Sequence, residues 1–265
     1  MLEYKVHQEE FEEYVIFLHG IGGNSTVFGK QLNEFKKQYN VITVHLPGHG
    51  KSPSVKSYDE RFSIELNLRE VLKVMDHLNI DRAHFVGVSL GSIFIHALMQ
   101  RYPHRVKSAV LAGCITRFTP FASILLKLGD GIKSLMPFLW LYRIFAYIMM
   151  PKNNHAVSRK LFIREAKKMN RECFLSWYRL TPFVKSTYQL VQTKAPHIPK
   201  LYISGREDHL FVKALEEDIQ GDPSAETVFL DDCGHVCNVE KPADFNKHAL
   251  EFLSRQSVCQ LKRVQ

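Results

Sequence analysis

The stretch His84-Phe85-Val86-Gly87-Val88-Ser89-Leu90-Gly91 decides how the chain is read. His84 to Val88 is a short buried-type strand, and Ile93 to Arg101, closed by Pro103, has the length and composition of a helix. A serine on the turn between them, with glycine two residues to either side, fits a strained, positive-φ elbow that lifts the hydroxyl above a sheet and leaves no room for neighbouring side chains. The helix that follows aims its first amides at the serine, so the Leu90 N–H is placed to stabilise an oxyanion.

Working outward, Tyr14-Val15-Ile16-Phe17-Leu18 and Val41-Ile42-Thr43-Val44 are further strands, each stopped by a glycine loop, with a helix-length segment from Thr26 to Gln38 between them. Ile64 to Leu78 carries Leu68, Val71, Leu72, Met75 and Leu78 on one helical face, and Ser108 to Ala112, Lys200 to Ser204 and Glu226 to Leu230 complete six strands. Strands alternating with helices predict an α/β fold, a doubly wound and mostly parallel sheet. Residues 116–195 break the rhythm. Their apolar spacing is helical, as in the stripe Phe162, Ala166, Met169, Cys173, Trp177 and Leu180, and they are expected to be a helical cap inserted in a core formed by 1–115 and 196–265.

The 265 residues carry a net charge of +8, but 116–195 alone hold 14 Lys and Arg against 3 Asp and Glu, a net of +11 that leaves −3 for the rest. Basicity confined to one segment argues against nucleic acid as a partner and leaves contact with a membrane surface through a basic, apolar cap open. Ile132 to Met150 is apolar nearly all round, yet Pro137 and Arg143 near its middle argue against a span, since a central arginine costs about 3 kcal/mol on insertion. The N-terminus has no apolar signal region, so a cytoplasmic location is expected, and Cys114, Cys173, Cys233, Cys237 and Cys259 are read as reduced thiols. Cys233 and Cys237 flank His235 without a second pair at zinc spacing, so no metal is expected.

The loop His19-Gly20-Ile21-Gly22-Gly23 sits where a second oxyanion donor belongs, with the Ile21 N–H first choice and Gly22 second. A phosphate loop would need a Lys-Ser/Thr pair that is missing here.

With the elbow and this loop stand Leu46-Pro47-Gly48-His49-Gly50-Lys51-Ser52, Tyr102-Pro103-His104-Arg105-Val106, Gly205-Arg206-Glu207-Asp208 and Cys233-Gly234-His235 followed by Glu240-Lys241-Pro242. In these motifs the chain resembles the esterases, lipases, thioesterases and C–C bond hydrolases of the α/β-hydrolase fold, along nearly its whole length. The family's order of nucleophile, acid and histidine implies Ser89, Asp208 and His235 as catalytic residues, with Glu207 pointing elsewhere and Asp231 and Asp232 as solvated loop residues. His19 is expected to brace the oxyanion loop, and His45 replaces an acidic residue common in relatives, with no role assigned. Serine in place of aspartate at the elbow excludes the dehalogenase and epoxide hydrolase chemistries of this fold.

The resemblance implies an acyl-enzyme route through Ser89, with no cofactor. The aromatic segment from Phe118 to Met149 suggests a lipophilic acyl substrate, with Gly22, Val88, His209, Phe138 and Trp140 expected to contact it. Hydrolysis of a lipophilic ester or thioester leads; C–C bond hydrolysis, a lyase step or aminopeptidase action on the same triad, and a low-turnover ligand sensor, are the alternatives. Few acids in the cap, Asp130, Glu165 and Glu172, weigh against a peptidase. Oligomeric state is not legible.

Overall fold

The computed structural model describes residues 1–7, 10–133 and 135–261. Seven strands, β1 (Tyr4–Val6), β2 (Tyr14–Leu18), β3 (Asn40–Val44), β4 (Ala83–Val88), β5 (Val106–Ala112), β6 (Lys200–Gly205) and β7 (Ala225–Leu230), form one sheet in the order β1-β3-β2-β4-β5-β6-β7. All pairs are parallel except β1 with β3. The six strands expected from sequence are present. The seventh, β1, is a three-residue edge with Lys5 exposed at its centre, too short and too polar to register as a strand.

The helices are α1 (Gly29–Phe35), α2 (Ile64–His77), α3 (Leu90–Arg101), α4 (Pro120–Ile132), α5 (Phe138–Met149), α6 (Ala156–Ala166), α7 (Arg171–Tyr178), α8 (Val184–Lys194), α9 (Val212–Ile219), α10 (Cys237–Glu240) and α11 (Pro242–Leu261). Both faces of the sheet are covered, which is why the central strands read as unbroken apolar runs: along β2, Ile16 and Leu18 enter one core while Val15 and Phe17 enter the other. The segment between Thr26 and Gln38 is a short 3₁₀ turn followed by α1, not one helix.

Between β5 and β6 the chain runs through α4 to α8, with no strand among the described residues. One sequence expectation fails there. The stripe from Phe162 to Leu180 is divided between α6 and α7, because the Asn170 side chain accepts the Cys173 N–H and starts a new helix, as a short amide side chain does when it competes with the backbone. The stretch from Ile132 to Met150 is likewise cut, since Pro137 ends the connection and α5 begins at Phe138. No described helix is long and apolar enough to cross a membrane. Cys114, Cys173, Cys233 and Cys237 are buried free thiols, and the Cys259 side chain lies outside those described.

Candidate active site

Ser89 ends β4 and caps α3 with φ +54° and ψ −113°, a left-handed backbone that a non-glycine residue adopts only when its surroundings impose it. A Cβ at Gly91 would lie 2.1 Å from the Leu18 carbonyl oxygen, and one at Gly87 would lie 2.6 Å from the Gly91 carbonyl carbon. The tight turn and the packing of α3 on the sheet thus account for both glycines.

The loop after β6 brings Asp208 in, and the loop after β7 brings His235. His235 Nδ1 stands 2.7 Å from Asp208 Oδ2, and its Nε2 stands 3.0 Å from Ser89 Oγ. Asp208 and His235 are buried. Burial opposes a charge on His235, but the Asp208 carboxylate and its hydrogen bond more than offset it, so the imidazole pKa is raised above its ordinary value. The buried Phe211 ring packs against the imidazole, with ring centroids 5.3 Å apart.

Two loop devices hold the histidine and the acid. Glu240 accepts the Gly234 N–H at 2.6 Å and the Ser158 hydroxyl of α6 at 2.6 Å, which joins the histidine loop to the inserted segment. Glu207 turns away from His235 and receives Lys152, Asn154 and His155, with Lys152 and Asn154 holding its carboxyl down at about 2. Asp231 and Asp232 are exposed.

A cluster of imidazoles stands behind the glycine loop. His19 Nδ1 lies 2.8 Å from the Gly20 carbonyl while its Nε2 accepts the Leu46 N–H, so His19 does brace the loop. His49 Nε2 accepts the Gly22 N–H at 3.0 Å, which engages the amide expected as second-choice oxyanion donor. His45 has a structural place after all: it bridges Glu3 at 2.7 Å and Ser25 at 2.9 Å, tying the edge strand to the loop.

Burial keeps His19 well below its ordinary pKa and pushes His49 down to about 4, so both are neutral acceptors near pH 7. Burial also lowers His84 to about 4 and His96 to about 3. Because the unfolded chain protonates these imidazoles near 6.5 and the folded chain resists to about 4, unfolding takes up protons in that window and stability falls as pH drops through it. His235, with its raised pKa, works in the opposite sense: its contribution is complete below 6.5 and fades as pH rises through the folded value. Thermal melts between pH 7 and pH 4 are therefore expected to show a steadily falling midpoint beginning near pH 6.5, above the carboxylate range; a midpoint flat down to pH 4.5 would contradict the buried, neutral assignment.

Beside Ser89 a cavity of about 140 Å³ is lined by the inner faces of α4 and α5 and by residues of α3, α6 and α7. No charged side chain among the described residues lines it. Its polar side chains other than Ser89 are engaged with backbone carbonyls: Tyr142 donates to Ile21 at 2.7 Å, Trp177 to Pro47 at 3.1 Å, Thr181 to Tyr178 at 2.9 Å, and Tyr178 to Leu126. A smaller cavity of about 40 Å³, lined by Gly20, Ile21, Val88, Ser158, Phe162 and His235 among others, also touches Ser89.

The expected substrate contacts divide accordingly. Ile21 and Leu90 line the larger cavity and Val88 the smaller one, and neither the Ile21 nor the Leu90 amide is drawn into a loop hydrogen bond with protein among the described residues. Gly22, Phe138, Trp140 and His209 line neither cavity. Trp140 is 59% exposed, Phe138 packs on Phe174 at the rim, and His209 faces solvent beyond the acid. The inward face of α5 carries Leu141, Tyr142, Phe145 and Met149 instead. A helical wheel beginning at Phe138 separates these from Trp140, Ile144 and Tyr147, but sequence leaves open which of two greasy faces looks inward. Phe211 and Glu240 were missed as site residues; Glu240 belongs to a motif whose contact with Gly234 only the fold reveals. No group of three or more His, Cys, Asp or Glu side chains among the described residues could hold a metal ion.

Known proteins agree with this architecture. A family model described as alpha/beta hydrolase fold matches residues 13–135. A 2-hydroxy-6-oxononadienedioate/2-hydroxy-6-oxononatrienedioate hydrolase of Paraburkholderia phymatum is 30% identical over 272 residues, covering 96% of this chain and 92% of its own length. The Escherichia coli K12 protein of the same name is 28% identical over 267 residues, covering 92% and 88%. Among solved structures, the enol-lactonase of Burkholderia xenovorans LB400 superposes with a TM-score of 0.77 at 22% identity, over 96% of each chain. MenH from S. aureus does so with a TM-score of 0.79 at 18% identity, over 97% of this chain and all of its own. At such identities the structures speak to the fold alone. The serine elbow, the fold and the near full-length relatives together establish that the chain belongs to the α/β-hydrolase fold family, as a serine hydrolase.

Proposed function

We propose that the protein hydrolyses a carboxylic ester or thioester bearing a neutral, lipophilic acyl group, with Ser89 as nucleophile, His235 as general base and Asp208 orienting it. The observation that carries this reading is the larger cavity: among the described residues its lining has no charge, and its polar side chains apart from Ser89 are already satisfied. An acyl chain entering it gains about 25 cal/mol for each Å² of apolar surface buried, whereas a carboxylate there would lose its hydration without a counter-ion.

In this reading the segment 116–195 is the cap that roofs the acyl site. Ser89 Oγ attacks the carbonyl carbon as His235 Nε2 takes its proton, and the backbone amides of Ile21 and Leu90 receive the developing oxyanion. His235, now charged and stabilised by Asp208, returns the proton to the leaving alcohol or thiol. Water then repeats the sequence on the acyl-enzyme and releases the acid. The chemistry calls on no cofactor.

The curated relatives support a second reading, and at the level of the reaction they favour it: cleavage of a C–C bond beside a ketone by the same three residues. The substrates in their names are dioates, with two carboxylates, and the absence of any cation among the described residues lining the larger cavity is the reason we place this reading second. A panel of p-nitrophenyl esters from acetyl to palmitoyl, run beside a 2-hydroxy-6-oxo-dienedioate, separates the two. Ester turnover that peaks at medium or long chains, with the dienedioate inert, is expected. Rapid cleavage of the dienedioate with every ester inert would replace the first reading with the second.

A further inference from the structure

Helices α4 and α5 are apolar on both sides. Their inner faces line the cavity, and their outer faces leave Phe121, Ile124 and Leu128 on α4, and Trp140, Ile144 and Tyr147 on α5, between 43% and 61% exposed. On α4 these residues recur at i, i+3 and i+7, and on α5 at i, i+4 and i+7, so each set forms one stripe along its helix. Large side chains gathered this way on an outer surface mark a contact site, whereas single exposed ones do not.

The charge around the stripes says what the contact is. Lys127 and Arg143 rise from the same helices, Arg143 lies over the Trp140 ring at 5.6 Å, and Arg159 lies over the Tyr147 ring at 4.6 Å. The acid of these two helices, Asp130, is neutralised by Lys133. Aromatic rings with an apolar body and a polar edge, flanked by cations, suit the boundary between acyl chains and phosphates. A second copy of the chain fits poorly, because a two-fold contact would set this face against itself and bring together segments that each carry +11.

We propose that the outer face of α4 and α5 docks on an anionic lipid bilayer surface, with Phe121, Leu128, Trp140 and Ile144 entering the acyl boundary and Lys127 and Arg143 meeting lipid phosphates. The docked protein would hold its apolar cavity one helix thickness from the membrane. This surface stands apart from the choice between ester and C–C chemistry.

The protein carries its own reporter. Of two tryptophans, Trp177 is buried and Trp140 is exposed, so a change in emission on binding reads the proposed face. The experiment mixes the full chain with vesicles of phosphatidylglycerol and phosphatidylcholine, or of phosphatidylcholine alone, and follows emission and co-sedimentation. Leu128→Glu and Ile144→Glu serve as independent variants on the two helices, with melting curves checking that each is folded. Expected are a blue shift and co-sedimentation with the anionic vesicles, weakened by salt, and a loss of about tenfold or more in partitioning for whichever variant is folded. Equal binding to both vesicle types, no binding to either, or unchanged binding by a folded variant overturns the proposal. So does a concentration-dependent dimer that either substitution dissociates, which would assign the face to self-association.

Discussion

Replacing Ser89 with alanine is expected to lower kcat by roughly 10⁶ on whichever substrate the wild type turns over, the scale of loss seen when the serine of a subtilisin triad is removed. The reason is local. Ser89 Oγ, the proposed nucleophile, lies 3.0 Å from the His235 nitrogen, and alanine removes that atom while leaving the amides of Ile21 and Leu90 in place. Stability should change little, because alanine at φ +54° carries a strain comparable to that of serine and the elbow glycines still fit. A burst-free, nearly silent variant with an unchanged melting curve is the predicted outcome. If the rate survives within tenfold, Ser89 is not the nucleophile and the proposed mechanism fails for esters and C–C substrates alike.

Asp208→Asn should come second in size, with kcat down by roughly 10⁴, the loss recorded for the corresponding change in a trypsin-type triad. An asparagine amide facing His235 Nδ1 favours the wrong tautomer and no longer balances the imidazolium. A pH effect accompanies the loss. His235 accepts a proton only when neutral, and its raised pKa puts the acid limb of wild-type kcat/KM above pH 6.5. Without the Asp208 carboxylate, burial is opposed only by the charge of Glu240, the smallest of the acting causes, so the imidazole pKa falls and the limb of the variant should move to lower pH. Glu207→Gln is the matched control. Its carboxylate serves Lys152, Asn154 and His155, and its removal should leave kcat within about tenfold and the acid limb in place. An acid limb that stays put in Asp208→Asn, or a larger loss in Glu207→Gln, would reassign the acid.

Much of this arrangement was legible because the residues concerned answer to short-range rules. A glycine on each side of Ser89 reports a backbone approach within a few residues, and the strands that deliver Asp208 and His235 end in turns visible from composition. Side-chain direction in the inserted helices was not legible. Trp140 and Phe138 were expected in the cavity, yet α5 turns Tyr142 and Phe145 inward, and in a helix greasy on both sides composition does not distinguish the face that meets protein from the face that does not. His45 was opaque for a different reason: its partners Glu3 and Ser25 are 42 and 20 residues away in sequence. The short edge strand that begins just after Glu3 escaped notice as well.

The hydroxyl of Tyr142 links the inserted segment to the proposed oxyanion site. It donates to the Ile21 carbonyl, the residue whose amide is the proposed oxyanion donor, and a Cβ at Gly22 would sit 2.5 Å from that same oxygen atom. Any displacement of α5 that breaks this hydrogen bond also takes a support away from the loop that carries the proposed oxyanion amide. The loop is thus held from the core through His19 and His49 and from the inserted segment through Tyr142, so the seating of α5 bears directly on the proposed oxyanion site.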